Sequence, residues 1–138
     1  SDLLKLFWEC HNPTQGDQQG NDRGSQYRSA IYTSTEHQAK LASASRDWYQ
    51  TALNQQDSAA ITTEIAADQV FFKAEEYHQQ YLARPGSRPY CSAMPSGVLL
   101  GDFAGANYKL PSSVWSHYDW SISHCVLRGD NSPISLKT

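Results

Sequence analysis

The sequence predicts a single domain that contains both α-helices and a β-sheet. Two segments carry apolar residues at helical spacing, and other segments alternate apolar and polar residues as half-buried strands do. A chain of 138 residues with 39% hydrophobic and 12% aromatic content can bury one core, so we expect one domain.

The first predicted helix covers residues 1–10. Ser1 and Asp2 offer side-chain oxygens for its N-cap, and the run His11-Asn12-Pro13 stops it. Its apolar face consists of Leu3, Leu4, Leu6, Phe7 and Trp8. Cys10 shares this face at the C-terminal end, where the helix dipole opposes a thiolate. We therefore interpret Cys10 as a core residue and not as a nucleophile.

A long polar loop follows the helix and runs from His11 into a short strand that ends at Tyr32. Its turn-forming residues are Gly16, Gly20, Asn21, Asp22, Arg23 and Gly24. Loops of this length inside a compact domain are uncommon and are usually either functional or disordered. Residues 27–32 alternate as a strand does, so we predict that the loop is attached to a sheet and is functional.

The second predicted helix begins with a capping box of Thr35 and Gln38. Its apolar positions are Leu41, Ala44, Trp48 and Ala52. Alternation over residues 61–65 predicts a strand, and the apolar run 70–72 predicts another. A third, short helix is predicted for residues 74–82, before a stretch rich in Pro and Gly interrupts regular structure.

Five motifs occur in order along the first two-thirds of the chain: HNPTQ, QGND, QYRSAIY, ITTEI and AEEYHQQYL. They resemble motifs in the second half of the A-type peptide methionine sulfoxide reductases. The resemblance covers residues 1–91 and implies an α+β fold, a mixed sheet covered by helices in two layers, incomplete at the N-terminus. Residues 92–138 have no counterpart that we can match in the family, and we expect an aromatic-rich extension packed on the domain.

The resemblance implies thiol-dependent reduction of methionine S-sulfoxide, protein-bound or free, in the repair of oxidised proteins. That family places its nucleophilic cysteine in a Gly-Cys-Phe-Trp motif, which these 138 residues lack. The chain also opens directly in a core helix. We therefore expect it to be the C-terminal portion of a longer protein and to be inactive alone. The family needs no cofactor, thioredoxin or another dithiol is the expected reductant, and a monomer is expected.

The substrate chemistry indicates which residue types the site needs. A sulfoxide is neutral and accepts hydrogen bonds through its oxygen, so a phenol with a pKa of about 10 is a suitable donor. By the resemblance, Tyr27 binds the sulfoxide oxygen, and Asp22 holds the substrate backbone and an ordered water. Alternatively, Tyr27 is an aromatic residue at a strand edge and Asp22 is a turn residue. The residues expected to support the site are Gly20, Asn21, Gln26, Arg28 and His78.

The other two cysteines are candidates for redox chemistry. The family resolves its sulfenic acid with a cysteine on a C-terminal segment, and Cys91 resembles that residue; the alternative is an inert surface thiol. Cys125 is either a small buried hydrophobe or a second, recycling cysteine that presents a disulfide with Cys91 to thioredoxin. Three cysteines leave one unpaired in any disulfide scheme, which favours a reducing intracellular compartment or a redox role over a secreted fold held by disulfides.

Several other function classes are disfavoured. The net charge of -3 gives no electrostatic case for nucleic acid, and no apolar run approaches the ~20 residues that span a bilayer. The spacing of cysteines and histidines does not match a structural zinc site, and we expect His78 to orient the loop or the site tyrosines. Two alternatives remain: a non-catalytic module that binds oxidised methionine or a protein partner, and an unrelated thiol enzyme that uses Cys125.

Overall fold

The computed structural model describes residues 1–79, 81, 85–86 and 93–115, except the side chain of Trp115. The described helices are α1 (Asp2–Glu9), α2 (Glu36–Asn54) and α3 (Ser112–Trp115), with a one-turn 3-10 helix at Ser25–Tyr27. The described strands are β1 (Gln18–Gln19), β2 (Asp22–Arg23), β3 (Ala30–Thr33) and β4 (Glu64–Ala67). This combination of helices and small sheets is the α+β class that the sequence predicts. None of the described helices has the length and apolar character needed to cross a bilayer.

Strands β3 and β4 form a parallel pair, with Ala30 opposite Glu64 and Ile31 opposite Ile65. Helix α2 connects them, as parallel strands require a crossover, and it packs against both. The predicted strand over residues 27–32 begins later than expected, because Tyr27 ends the 3-10 helix and only residues from Ala30 onward pair with β4.

The N-terminus of α2 confirms the predicted capping residues with one change in pairing. The Thr35 hydroxyl accepts a hydrogen bond from the Gln38 backbone N–H (3.2 Å). The Gln38 side chain reaches back to the backbone N–H of Ser34 (2.9 Å), one residue before the cap. Two donors at the start of the helix are thereby satisfied.

The buried face of α2 lies one residue along from the predicted apolar positions. The fully buried residues are Ala42, Ser45, Tyr49 and Leu53, while Leu41, Ala44, Trp48 and Ala52 are only partly buried. Trp8 of α1 stacks on Tyr49 (5.5 Å between ring centroids) and donates its indole N–H to the Ser45 hydroxyl (2.9 Å). Tyr49 donates to the carbonyl of Val98 (2.9 Å), and burial raises the pKa of its phenol to about 12. The hydroxyls of this face are therefore satisfied inside the core.

The segment 93–108 completes that core. Its buried apolar residues are Ala93, Val98, Leu100 and Phe103. The buried carboxylate of Glu9 accepts a hydrogen bond from the Leu100 backbone N–H (2.7 Å) and pairs with Lys5, whose ammonium donates to the Leu100 carbonyl (3.0 Å). The segment is thus held on α1, although where the family domain ends and an extension begins stays a prediction.

The side chains of Ser1, at the N-cap position of α1, and of Asp2, its first residue, do not cap the helix as predicted. Neither oxygen group makes a side-chain cap; the Ser1 hydroxyl accepts from the Asn107 N–H (2.8 Å), and the Asp2 carboxylate accepts from the N–H groups of Lys109 (2.9 Å) and Leu110 (3.0 Å). Partial burial works to raise the pKa of Asp2, but these donors leave it below its ordinary value. Ser1 and Asp2 therefore bind the backbone of residues 107–110 instead of capping α1.

The predicted strand at 70–72 is wrong, and the predicted helix at 74–82 is wrong over residues 74–79. Residues 70–72 form no strand, and residues 76–79 form turns where a helix is expected. The chain leaves the sheet at Asp68, which has a φ of 54° and donates its N–H to the Thr33 carbonyl (2.9 Å). Phe71 is 87% exposed and Phe72 is 83% exposed, beside a groove of about 450 Å³. The apolar run therefore has no strand partner among the described residues.

Candidate functional site

The loop after α1 is anchored at its start by the buried ring of His11. Because a carbonyl can only accept, Nδ1 donates to the Phe7 carbonyl (2.6 Å), and the neutral ring accepts at Nε2 from the Ser29 hydroxyl (2.8 Å). The Ser29 oxygen in turn shares a hydrogen bond with the Thr63 hydroxyl (2.8 Å). Burial lowers the pKa of His11, partly opposed by the Phe7 carbonyl, so the neutral form is favoured. One hydrogen-bonded chain thereby joins α1 to the approaches of β3 and β4.

A second anchor holds the middle of the loop. The Pro13 carbonyl accepts hydrogen bonds from the backbone N–H (2.9 Å) and the hydroxyl (3.1 Å) of Thr62. The same hydroxyl accepts from the Gly16 N–H (2.9 Å). The prediction that the loop is attached to a sheet is thus confirmed, through the residues that lead into β4.

The hairpin of β1 and β2 carries three of the predicted site residues. Asp22 pairs with Gln19 across the hairpin, and the turn consists of Gly20 and Asn21. Gly20 has a φ of 57°, a conformation that glycine adopts without strain, and its N–H donates to the Gln15 side chain (3.0 Å). The turn thus places the Asp22 side chain on an exposed surface.

The 3-10 helix carries Tyr27. Gly24, at its start, has a φ of 139° and donates its N–H to the Asp17 carbonyl (2.9 Å). The Gln26 side chain folds back over this glycine, and a Cβ added at Gly24 would clash with its Oε1. The backbone N–H of Tyr27 donates to the Gly24 carbonyl (3.0 Å), and the Tyr27 side chain is 41% exposed. Tyr27 and Asp22 therefore lie on neighbouring exposed elements of one loop.

Arg28 joins the loop to β4 through a cluster that the sequence reasoning missed. Its Nε donates to Glu64 Oε2 (3.0 Å), its Nη1 to the Ser25 carbonyl (2.8 Å) and its Nη2 to the Tyr32 hydroxyl (3.1 Å). Tyr32 donates to the same Glu64 oxygen (3.1 Å). The hydrogen bond from Arg28 lowers the pKa of Glu64, and Glu64 raises the pKa of Arg28. The sequence feature that could have indicated this cluster is Glu64, the charged residue of the ITTEI motif.

The remaining residues considered in the sequence are His78 and the three cysteines. His78 is exposed, with its ring 4.4 Å from that of Tyr77, and its orienting role stays a prediction. Cys91 and Cys125 lie outside the described residues. Cys10 is half-buried at the C-terminus of α1, where its thiol contacts the Phe7 carbonyl (3.6 Å). Within the described ranges, no three His, Cys, Asp or Glu side chains cluster as metal ligands would.

The loop can donate from a phenol and accept at a carboxylate, both accessible to solvent. A phenol can hold a neutral oxygen acceptor, and a carboxylate can hold an amide N–H. Neither group is a thiol, so the described loop supports binding and not attack on sulfur.

Comparison with known proteins identifies relatives of this chain. A family model described as "Peptide methionine sulfoxide reductase" matches residues 1–99. A protein named peptide methionine sulfoxide reductase MsrA from Rhodospirillum centenum is 53% identical over 100 residues, covering 71% of this chain and 44% of that protein. The protein of the same name from Vibrio cholerae is 52% identical over 100 residues, covering 72% of this chain and 47% of that protein. The chain therefore spans about half the length of the curated relatives it matches.

A solved structure is also similar. The crystal structure of reduced Mxr1 from Saccharomyces cerevisiae aligns with 72% of this chain and 51% of its own, with a TM-score of 0.54 and 30% identity. This similarity confirms the predicted fold class. Because the family model covers residues 1–99 of 138, including the whole anchored loop, the chain belongs to the peptide methionine sulfoxide reductase family.

Proposed function

We propose that the protein containing this chain reduces methionine S-sulfoxide, free or in proteins, to methionine. Thioredoxin or another dithiol supplies the electrons. The observation that carries the proposal is the family match over residues 1–99, which includes every residue of the loop.

In this proposal, the loop binds the substrate. The Tyr27 phenol donates a hydrogen bond to the sulfoxide oxygen, and the Asp22 carboxylate accepts from the substrate backbone N–H and an ordered water. The anchors at His11, Pro13 and Gly16 support this role because they hold the loop in place before substrate arrives. A preformed loop loses less conformational entropy when it binds.

The redox steps need thiols. A cysteine thiolate attacks the sulfoxide sulfur, a proton donor protonates the oxygen, and methionine leaves while the cysteine becomes a sulfenic acid. A second thiol condenses with the sulfenic acid, forming a disulfide and releasing water, and the dithiol then reduces that disulfide. Cys91 is the proposed resolving thiol and Cys125 a proposed recycling thiol. Since the chain lacks the Gly-Cys-Phe-Trp motif, these 138 residues alone should bind substrate without turnover.

The activity is tested on the complete protein, meaning this chain with any residues encoded before or after it. The S and R epimers of acetylated methionine sulfoxide amide are incubated separately with dithiothreitol, and the thioether product is measured by chromatography. We expect consumption of the S epimer and none of the R epimer. Failure to consume either epimer would overturn the proposal and favour the non-catalytic binding module.

The role of Asp22 is tested with a matched pair of variants in the same protein. Asp22→Asn should lower kcat/KM about tenfold, because the amide is a weaker acceptor for the substrate N–H. Asp47→Asn is the control, since Asp47 is also an exposed carboxylate, on α2, and is paired with Arg46 (2.8 Å). An equal effect of both variants would remove Asp22 from the site.

A further inference from the structure

We propose that Glu64 of β4 is a positioning residue for Tyr27 and that it acts through the guanidinium of Arg28. This inference rests on the proposed function, because it requires Tyr27 to bind the sulfoxide oxygen. Glu64 itself would not contact the substrate.

The geometry links the two residues through one rigid group. Arg28 directly follows Tyr27, and its Nη1 donates to the carbonyl of Ser25, the first residue of the 3-10 helix (2.8 Å). Its Nε donates to Glu64 Oε2 on β4 (3.0 Å). Because the guanidinium is planar and its donors have fixed directions, these two contacts set the 3-10 helix relative to the strand.

The carboxylate is itself held from a second side. The Tyr32 hydroxyl donates to the same Glu64 oxygen (3.1 Å) and accepts from Arg28 Nη2 (3.1 Å). Tyr32 and Glu64 lie on the paired strands β3 and β4. Each of the three side chains, Arg28, Tyr32 and Glu64, is therefore hydrogen-bonded to the other two, and two of them lie on the sheet.

The 3-10 helix needs such support because its own backbone provides little. It is one turn long, with hydrogen bonds from the Tyr27 N–H to Gly24 (3.0 Å) and from the Arg28 N–H to Ser25 (3.3 Å). An exposed ion pair contributes little to global stability. The expected effect of the cluster is therefore on where the Tyr27 hydroxyl lies, which matters because a small misplacement at a reacting group lowers the rate strongly.

A double-mutant cycle in the complete protein tests this inference. The variants are Glu64→Gln, Tyr27→Phe and the two combined, assayed for kcat and KM on the S-sulfoxide. Glu64→Gln alone should lower kcat/KM about fivefold, mainly through kcat, because the hydrogen bond to oxygen strengthens in the transition state. When Tyr27→Phe is already present, adding Glu64→Gln should change kcat/KM less than about twofold, since no hydroxyl remains to be positioned.

Two further variants separate positioning from other effects. Arg28→Lys keeps the positive charge but loses the planar guanidinium with its several N–H donors. It should therefore lower kcat/KM as much as Glu64→Gln does. Glu36→Gln is the matched control, because Glu36 is an exposed carboxylate paired with Lys40 (2.8 Å) on α2, and it should leave kcat/KM unchanged.

The outcomes distinguish this inference from the proposed function. If Tyr27→Phe has no effect, the substrate role of Tyr27 is wrong and the inference falls with it. A second outcome is that Tyr27→Phe lowers kcat/KM, but Glu64→Gln causes the same loss whether residue 27 is Tyr or Phe. The proposed sulfoxide reduction then stands, while the positioning role of Glu64 is overturned. An unchanged kcat/KM for Glu64→Gln alone would also overturn it.

Discussion

Two regions of this chain solve different physical problems. The core region consists of α1, α2 and residues 93–108, and it buries Trp8, Tyr49 and Phe103 with hydrogen bonds for the hydroxyl and indole groups inside. The loop region consists of residues 11–34 and 64–72, and its polar side chains and apolar run are largely exposed. The difference teaches that most of the buried apolar packing lies in the first region and that the proposed binding groups, Asp22 and Tyr27, lie in the second.

The largest contrast is expected for phenylalanines in the two regions. Phe103 is 6% exposed and Phe71 is 87% exposed. In the chain of residues 1–138, Phe103→Ala should lower the free energy of unfolding by about 3–4 kcal/mol, because it removes buried contacts and leaves a cavity. Phe71→Ala should change it by less than about 0.5 kcal/mol. Urea denaturation measures both, and similar losses would contradict the division into two regions.

A carboxylate in each region provides the second contrast. Glu9→Ala removes a buried acceptor and leaves the Leu100 N–H and the Lys5 ammonium without it, which should cost about 2–3 kcal/mol. Glu64→Ala removes an exposed partner of Arg28 and should shift the urea midpoint far less than Glu9→Ala does, because solvent screens an exposed ion pair. The same denaturation experiment gives both values. A larger loss for Glu64 than for Glu9 would reverse the assignment.

The anchor at His11 predicts a dependence of stability on pH. Burial holds the pKa of His11 below 6.5, so the unfolded chain binds the proton more readily than the folded chain. The stabilisation is complete above pH 6.5 and is lost as the pH falls toward the lowered value, with a slope of at most about 1.4 kcal/mol per pH unit. Unfolding free energies of the chain and of His11→Asn should therefore converge as the pH falls through this window. Parallel curves would show that His11 does not titrate in this way.

The smallest expected effect concerns Cys10. Its half-buried position at the C-terminus of α1 suggests a packing role, so Cys10→Ser should lower the free energy of unfolding by about 1 kcal/mol or less. In the complete protein, kcat should stay within about twofold of the unsubstituted value. A large loss of turnover in a stably folded variant would make Cys10 part of the chemistry.

Local patterns predicted the two longest helices of the described residues. Periodicity identified α1 and α2, and the Thr35–Gln38 box marked where α2 begins. The buried face of α2 was misplaced because Ser45 and Tyr49 count as polar in a pattern, although their hydroxyls find partners inside the core. Ser1 and Asp2 were expected to cap α1. Their side chains instead accept hydrogen bonds from residues more than 100 positions later in the sequence, which no local pattern encodes.

The candidate site residues were selected from local sequence in the same way. Motif resemblance selected Asp22 and Tyr27, whose neighbours in sequence also form the loop around them. The role inferred for Glu64 was not visible, since it depends on Arg28 and Tyr32, which lie 36 and 32 residues away in sequence. The apolar run 70–72 read as a strand because alternation and hydrophobicity do not reveal whether a partner strand is present.

The most direct measurement of the loop's role is kcat/KM of the complete protein carrying Tyr27→Phe, with the S-sulfoxide as substrate. We expect a loss of about tenfold or more, because one hydrogen bond to the sulfoxide oxygen disappears from the transition state. The unfolding midpoint should not change, since the Tyr27 side chain is exposed. A kcat/KM that stays within about twofold of the unsubstituted protein would contradict the account.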